Sequence, residues 1–284
     1  MNDLIQKLKY KYENGEINVK LIFICTAIYF LSVIINFMFF GKSVYKIDDY
    51  FTASAGFHYF IQRPWGILTY PFFHDSLMHL AFNMLMLYFV GKMFLSYFRT
   101  YDLLTFLIFG AISGAVFFMI YSEYANQTGR LSGASAAIYA VLFALYSYMP
   151  KKSIQLFPLN FQLRIEQIAW VLLIYDFLMI MSGSNIGGHI SHLGGAAFGF
   201  FYMKQFEKGN DFLGKIFKSV VSKPQIKKTT KKSQTPPRDN YEFNARKMSK
   251  QKEIDKILDK ISRSGYDSLT KEEKDTLFNA GKNG

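Results

Sequence analysis

The sequence predicts an all-α membrane protein, a bundle of six transmembrane helices followed by a small helical tail in the cytoplasm. Three observations carry that expectation. Half of the 284 residues are hydrophobic and 18% are aromatic, with 30 Phe and 19 Tyr. The apolar residues are gathered between about residues 20 and 206, in runs with few charges. The charges collect behind them: residues 204–284 hold 20 of the 33 Lys and Arg and 11 of the 21 Asp and Glu, so +9 of the net +12 lies there. This partition excludes a simple soluble globule, a collagen-like chain and a wholly disordered protein. The single cysteine, Cys25, excludes an internal disulfide framework and a multi-Cys metal site.

A helix needs about 20 apolar residues to cross a hydrocarbon core of about 30 Å. Six segments qualify, near 20–40, 76–97, 102–122, 133–149, 166–183 and 189–206. They are continuously apolar, without the two-residue alternation of lipid-facing strands, which favours helices over a barrel. The first lies behind a polar leader, residues 1–19, and is too long for the apolar stretch of a cleaved signal. Orientation follows from basic residues near the span ends. One side holds Lys7, Lys9, Lys11, Lys20, Arg99, Lys151, Lys152, Arg164 and the whole basic tail; the other holds Lys42, Lys46, Arg63 and Arg130, partly offset by Asp48, Asp49 and Glu123. Both termini are therefore expected in the cytoplasm. The loop of about 35 residues between the first two spans faces outward, and its Phe57, Tyr59, Phe60, Ile61 and Trp65 suit an ordered segment at the interface.

Behind the six-span core, residues 20–206, the tail divides in two. Residues 207–249, with the run Lys227-Lys228-Thr229-Thr230-Lys231-Lys232 and the pair Pro236-Pro237, read as a basic flexible linker that can contact anionic lipid. Residues 250–284 read as a cytoplasmic helical hairpin. Ile254, Ile257, Leu258 and Ile261 sit at helical spacing, Gly265 suits a stop, and Ser268 to Glu272 suit a second start. Such a hairpin is too small for a substantial core of its own.

Polar groups inside spans are costly and by default mark a site. Three spans carry them at the end expected to face outward. The second opens His74-Asp75-Ser76-Leu77-Met78-His79, with Asn83 four residues after His79 on the same helix face. The fourth opens Ser132-Gly133-Ala134-Ser135-Ala136-Ala137-Ile138-Tyr139, and the sixth opens His189-Ile190-Ser191-His192-Leu193-Gly194-Gly195, with Gly199 beyond. Small residues around Ser135 and the stripe Gly195-x-x-x-Gly199 make two thin helices that can approach closely. His192 shares the glycine face, so that approach would bring its imidazole to Ser135. A serine hydroxyl becomes a nucleophile when a neighbouring neutral His takes its proton. The Ser135 N–H near a helix start, with His79 and Asn83, could meet an oxyanion. Taken singly, each group also has a structural explanation: small residues pack, a lone Ser bonds back to its own helix, and the second-span cluster could line an ion path.

In these motifs the sequence resembles the rhomboid intramembrane serine proteases. His74-x4-His79-x3-Asn83 resembles the family's second-span pattern, Gly133-Ala134-Ser135-Ala136 its Gly-x-Ser-x nucleophile motif, and His192-x2-Gly195-x3-Gly199 its sixth-span histidine motif. Trp65 resembles the Trp of the family's outer loop. The resemblance spans about residues 20–206 and implies a rhomboid-like bundle. It implies Ser135 as nucleophile and His192 as general base and acid, a dyad without a carboxylate. It further implies His79, Asn83 and the Ser135 amide as the oxyanion site and Tyr139 stacked on His192. Two features depart from the pattern. Ala136 replaces a common Gly, and Gly66 after Trp65 replaces a common Arg, which bears on how the outer loop is anchored. His189, one turn before His192, is assigned an interfacial or structural role; Asp176 in the fifth span could orient His192 or gate substrate, but is read first as a buried structural carboxylate, paired or protonated.

The expected function is hydrolysis of single-span membrane proteins near the outer face of the bilayer, where water can reach an acyl-enzyme. The Lys, Asn, Ile and Phe content suits a bacterial chain, and hence an inner membrane. No metal or organic cofactor is expected, and no nucleic-acid partner. Two other functions stay open on the sequence: a catalytically silent relative that binds membrane helices, and a transporter using His79, Asn83, His192 and Asp176 as a polar path. The latter predicts internal repeats or paired broken helices, and the sequence has neither.

Overall fold

The computed structural model describes residues 2–41, 46–156, 161–221, 253–262 and 265–282. The chain forms two compact units, residues 1–225 and 226–284.

The first unit opens with α1 (Asn2–Asn14) and α2 (Ile17–Ile35), which ends in a π-turn over Asn36–Phe40. A loop follows with strand β1 (Ala53–Ser54) and the short helices α3 (Phe57–Gln62) and α4 (Gly66–Thr69). Then come α5 (Leu77–Leu95), α6 (Thr100–Tyr124), strand β2 (Arg130–Leu131), α7 (Ser135–Tyr148), the strands β3 (Ser153–Leu156) and β4 (Phe161–Arg164), α8 (Ile165–Met181), α9 (Ile186–Glu207) and α10 (Phe212–Val221).

Each of the six expected spans is a helix. Among the described residues, three are long and apolar enough to cross a membrane: the stretch Ile17–Phe40, α5 and α6. α7 has 14 residues, about 21 Å of helix against a core of about 30 Å. α8 has 17 residues, and the 22 residues of α9 are diluted by five glycines and by His189 and His192. The chain is an integral membrane protein, mostly helical.

Its centre is α6, α7 and α9, packed through small residues. A Cβ on Gly195 would strike the carbonyl of Ala136, and one on Gly199 the carbonyl of Ala140. Toward α6, Gly110 admits the Cβ of the same Ala140, and a Cβ on Gly114 would lie 2.6 Å from that of Ala136. The Ser113 hydroxyl donates to the Gly194 carbonyl at 2.9 Å. Helices surrounded by lipid gain little from hiding apolar area, so this backbone-close packing and a few interhelical hydrogen bonds hold them together. Ten of the 14 residues of α7 are buried.

The loop between α2 and α5 is ordered over residues 46–76, as expected from its aromatics. β1 pairs antiparallel with β2, Ala53 opposite Leu131 and Ser54 opposite Arg130, which ties the loop to the segment that leads into α7. Two further details depart from the expectations. β3 and β4 form an antiparallel ribbon with Ile154 opposite Leu163, where Ser153-Ile154-Gln155-Leu156 alternates with a period of two. The segment read as flexible linker begins with α10: Asp211 caps it by accepting from the Gly214 N–H at 3.0 Å, and Phe212, Leu213, Ile216 and Phe217 recur at helical spacing. The rest of that linker, 222–249, lies outside the described residues.

The second unit contains helices over 253–262 and at α12 (Lys271–Lys282), with residues 253–262 forming α11. Gly265, at φ +75°, turns the chain between them. Thr270 and Glu273 cap α12 reciprocally: the Glu273 N–H donates to Thr270 Oγ1 at 3.2 Å, and the Thr270 N–H donates to the Glu273 carboxylate at 2.8 Å. Lys260 donates to the same carboxylate, also at 2.8 Å, and Ile257 and Leu269 are buried.

Candidate active site

Four helices bring polar side chains to one end of the bundle, because α5, α7 and α9 start there and α8 finishes there. α7 begins at Ser135 itself, so its N–H has no partner within the helix and stands at the positive end of the helix dipole. The turn before it is set by Gly133, at φ +96°. The Gly133 N–H donates to the Tyr70 carbonyl at 3.2 Å, and the Tyr70 hydroxyl donates to the Ala111 carbonyl of α6 at 2.8 Å. A Cβ on Gly133 would lie 2.5 Å from Nε2 of His79. The sequence reading took Gly133 as a helix-thinning residue. Its place is instead ahead of the helix, where a left-handed turn and the His79 ring both demand glycine.

The glycine stripe of α9 delivers His192. Its Nε2 lies 2.7 Å from Ser135 Oγ, and its ring stacks on Tyr139 with centroids 4.4 Å apart and planes inclined by 22°. Ser76 caps α5 by accepting from the His79 N–H at 3.1 Å, which fixes the first turn of that helix. The Asn83 amide donates to the His79 carbonyl at 2.9 Å, so one of its two N–H bonds is turned back on its own helix. His74 is buried behind His79, edge to face at 5.1 Å. Burial, with His79 nearby, pushes its ring pKa down to about 4, which keeps it neutral.

Asp176 is buried and paired, as expected, and its partners place a carboxylate beside the Ser–His pair for which the resemblance implies none. The side chain is fully buried, and its Oδ1 lies 2.9 Å from Nδ1 of His192 and 2.6 Å from Nδ1 of His189. His189 is buried rather than interfacial. The Tyr139 hydroxyl is close to the same carboxylate. Nothing in local spacing predicts this meeting, since Asp176 belongs to a helix that precedes both histidines.

The anchoring of the outer loop also differs from the expectation drawn from Gly66. Gly66 is buried against the backbone of Thr52 and Ala53, and a Cβ there would lie 2.7 Å from the Thr52 carbonyl oxygen, so no longer side chain fits. The loop is held by its neighbours. Trp65 Nε1 donates to the Tyr50 carbonyl at 2.6 Å, and Arg63 donates to the Asp49 carbonyl at 2.9 Å. Arg130 bridges Asp49 and Asp75, and Ser132 donates to Asp75. Tyr70, Asp75 and Arg130 thus set the segment in front of Ser135, and the sequence held no signal for any of them beyond polarity.

Ser135, His192, His189, His79 and Asn83 line a cavity of about 670 Å³ whose other walls are mainly apolar, including Phe82 and Met86 of α5 and Val171, Leu172 and Met179 of α8. α5 and α8 make little contact with each other, so the cavity is bounded by two helices that do not close on one another. Among the described residues, Asp176, His189 and His192 could also offer a metal ion three ligands, their atoms lying within 4.8 Å of one another. The separations of 2.6 and 2.9 Å are those of hydrogen bonds. Two ligands of one tetrahedral zinc would stand roughly 3.3 Å apart, given Zn–N and Zn–O lengths of about 2.0–2.1 Å.

Comparison with known proteins adds two matches. A model of the rhomboid domain matches residues 62–206, and a family of unknown function (DUF6576) matches residues 240–282, which span the helical hairpin. No curated protein matches the chain. The rhomboid match covers just over half of the sequence and contains every motif assembled above from α5, α7 and α9. The chain belongs to the rhomboid family.

Proposed function

We propose that this membrane protein is an intramembrane serine endopeptidase that cleaves transmembrane helices near the outer face of the bilayer. Ser135 is the nucleophile and His192 the general base and acid. The observation that carries this reading is the 2.7 Å contact between His192 Nε2 and Ser135 Oγ, inside a cavity with apolar helical walls. As Oγ attacks a substrate carbonyl carbon, its proton passes to Nε2 and the carbonyl π electrons move to oxygen. The Ser135 N–H, the His79 ring and the second N–H of Asn83 are the donors for that oxyanion. Collapse expels the amine, which takes the proton from Nε2. Water then attacks the acyl-serine with His192 again as base.

The substrates are single-span membrane proteins. A peptide bond held in helix hydrogen bonds is hidden from a nucleophile, so the substrate segment must unwind, and the gap between α5 and α8 is the side through which it would arrive. In this reading all six helices span a bacterial inner membrane with both termini in the cytoplasm. The short α7 sits inside the bundle, with Ser135 recessed below the surface where water can follow. The tail tunes the enzyme, its basic linker meeting anionic lipid, without taking part in chemistry.

The test is a serine-directed fluorophosphonate on the purified protein, together with cleavage of a panel of single-span proteins on co-expression. Wild type should be labelled and should cleave at least one of them. Ser135→Ala and His192→Ala should each reduce cleavage by more than roughly a hundredfold while remaining folded, because loss of a triad member costs several orders of magnitude in soluble serine proteases. Residual cleavage in Ser135→Ala above about one per cent of wild type would sink the assignment. A folded wild type that neither reacts nor cleaves would leave the silent helix-binding relative.

A further inference from the structure

A base is useful only in the right tautomer, and the tautomer of an imidazole is set by what its second nitrogen does. Here His192 has Ser135 Oγ at 2.7 Å from Nε2 and Asp176 Oδ1 at 2.9 Å from Nδ1. An ionised carboxylate can only accept, so Nδ1 must carry the hydrogen, and the Nε2 lone pair is left facing the serine hydroxyl. The same Oδ1 lies 2.6 Å from Nδ1 of His189, so a second donor fastens the carboxylate from the next turn down α9. Asp176 is wholly buried, whereas its neighbours on α8, Tyr175 and Phe177, are 51% and 62% exposed. The helix thus turns one ionisable side chain inward and apolar ones outward. An apolar residue would pack at that position without the cost of burying a charge within a membrane.

Resting on the protease reading above, we propose that Asp176 is a positioning residue that converts the expected dyad into a Ser135–His192–Asp176 triad with a buried carboxylate, and that His189 is the clamp on that carboxylate. The carboxylate does not take the proton. It holds Nδ1–H while Nε2 receives the serine proton, and it stabilises the imidazolium that results. The other titratable groups facing this cluster are Tyr139 of α7, Tyr175 of α8, which lies edge-on to His189 at 5.7 Å, and His79 of α5.

The experiment compares full-length wild type with Asp176→Asn in proteoliposomes, using a quenched fluorescent transmembrane substrate across roughly pH 5–9. Asparagine keeps the shape and removes the charge. The expected result is a fall in kcat of roughly a hundredfold or more with KM little changed, since the equivalent change in a soluble triad costs about 10⁴. Fluorophosphonate labelling of Ser135 should slow in step. The acid limb of the pH–rate profile should move to lower pH, because the imidazolium has lost its counter-charge. A carboxylate that merely braces α8 against α9 would lower thermal stability and leave that limb in place. A kcat within about threefold of wild type, or an unmoved limb, overturns the triad.

Should Asp176→Asn fail to fold, nitrogen-15 shifts of the wild-type imidazoles decide the matter, with His192 assigned by comparison with His192→Gln. An Nδ1–H tautomer for His192 supports the triad, and an Nε2–H tautomer overturns it. A wild type with neither turnover nor labelling overturns the protease reading and the triad together. An active wild type indifferent to Asp176→Asn overturns the triad alone.

Discussion

α7 and α8 both pack on α9, yet they are buried to very different degrees. Ten of the 14 residues of α7 are buried, against three of the 17 in α8: Ile165, Ala169 and Asp176. α7 meets α9 backbone to backbone, along carbonyls of Ala136 and Ala140 that leave no room for a Cβ on Gly195 or Gly199. Toward its far end, α8 touches α9 through a carboxylate and two imidazoles. The proposed nucleophile therefore sits on the helix whose position is over-determined, and the carboxylate proposed to orient the base sits on a helix with few buried residues. Dense packing fixes geometry at every residue it touches. Where packing is thin, a hydrogen bond to a carboxylate has to hold the geometry.

Four changes, the first read against a control on α8, would break or sharpen that contrast. The largest effect is expected from Gly199→Leu, which drives a side chain into the Ala140 carbonyl. Overpacking ordinarily costs about 1–3 kcal/mol, and here the obstacle is backbone that cannot rotate away. The variant should lose most of its folded yield and all measurable cleavage, while Phe177→Ala on the open face of α8, 62% exposed, should melt in detergent within a few degrees of wild type. Equal melting behaviour of the two would mean that the glycine stripe does not position α7.

His79→Ala should come next. Loss of one oxyanion donor costs about 2.7–4 kcal/mol in a soluble protease, or roughly 10²–10³ in kcat. The reading is a kcat that falls with KM nearly constant. An unchanged kcat with a raised KM would assign the ring to substrate positioning instead. Asn83→Ala should lose less, because one of its N–H bonds is already engaged by the His79 carbonyl.

The smallest effect belongs to His189→Ala. It removes one of the two hydrogen bonds on Asp176 Oδ1 and leaves the one to His192. A single hydrogen bond to a charged group contributes about 1.5–3 kcal/mol, and only part of that bears on His192, so a loss of roughly tenfold in kcat is expected. If His189→Ala is as inactive as His192→Ala, the clamp rather than the base limits the reaction, and the division of roles along α9 is wrong.

Much of this molecule was legible in the residues alone. Runs of apolar side chains are a local property, and bilayer thickness turns them into helices with little help from neighbours, which is why α2, α5, α6, α7, α8 and α9 fall where the hydrophobic runs lie. Spacing along one helix is equally local: it put His79 with Asn83, and His192 with Gly195 and Gly199, on single faces, and small residues announced which faces could meet. What spacing cannot encode is how far each helix is rotated and how deep it sits. Those depend on all the contacts at once. Asp176 was one costly carboxylate on an apolar helix until packing turned it onto two imidazoles from the next helix. Gly133 was one small residue among several until the fold placed the His79 ring against it and bent the backbone to a positive φ. Gly66 was a missing arginine until the backbone of Thr52 and Ala53 filled its place. Tyr70, whose hydroxyl and carbonyl tie α6 to the turn before Ser135, carried no signal, because its partners lie tens of residues away. Local chemistry along the chain named the groups proposed to react, and only the close approach of α6, α7, α8 and α9 decided which groups surround them.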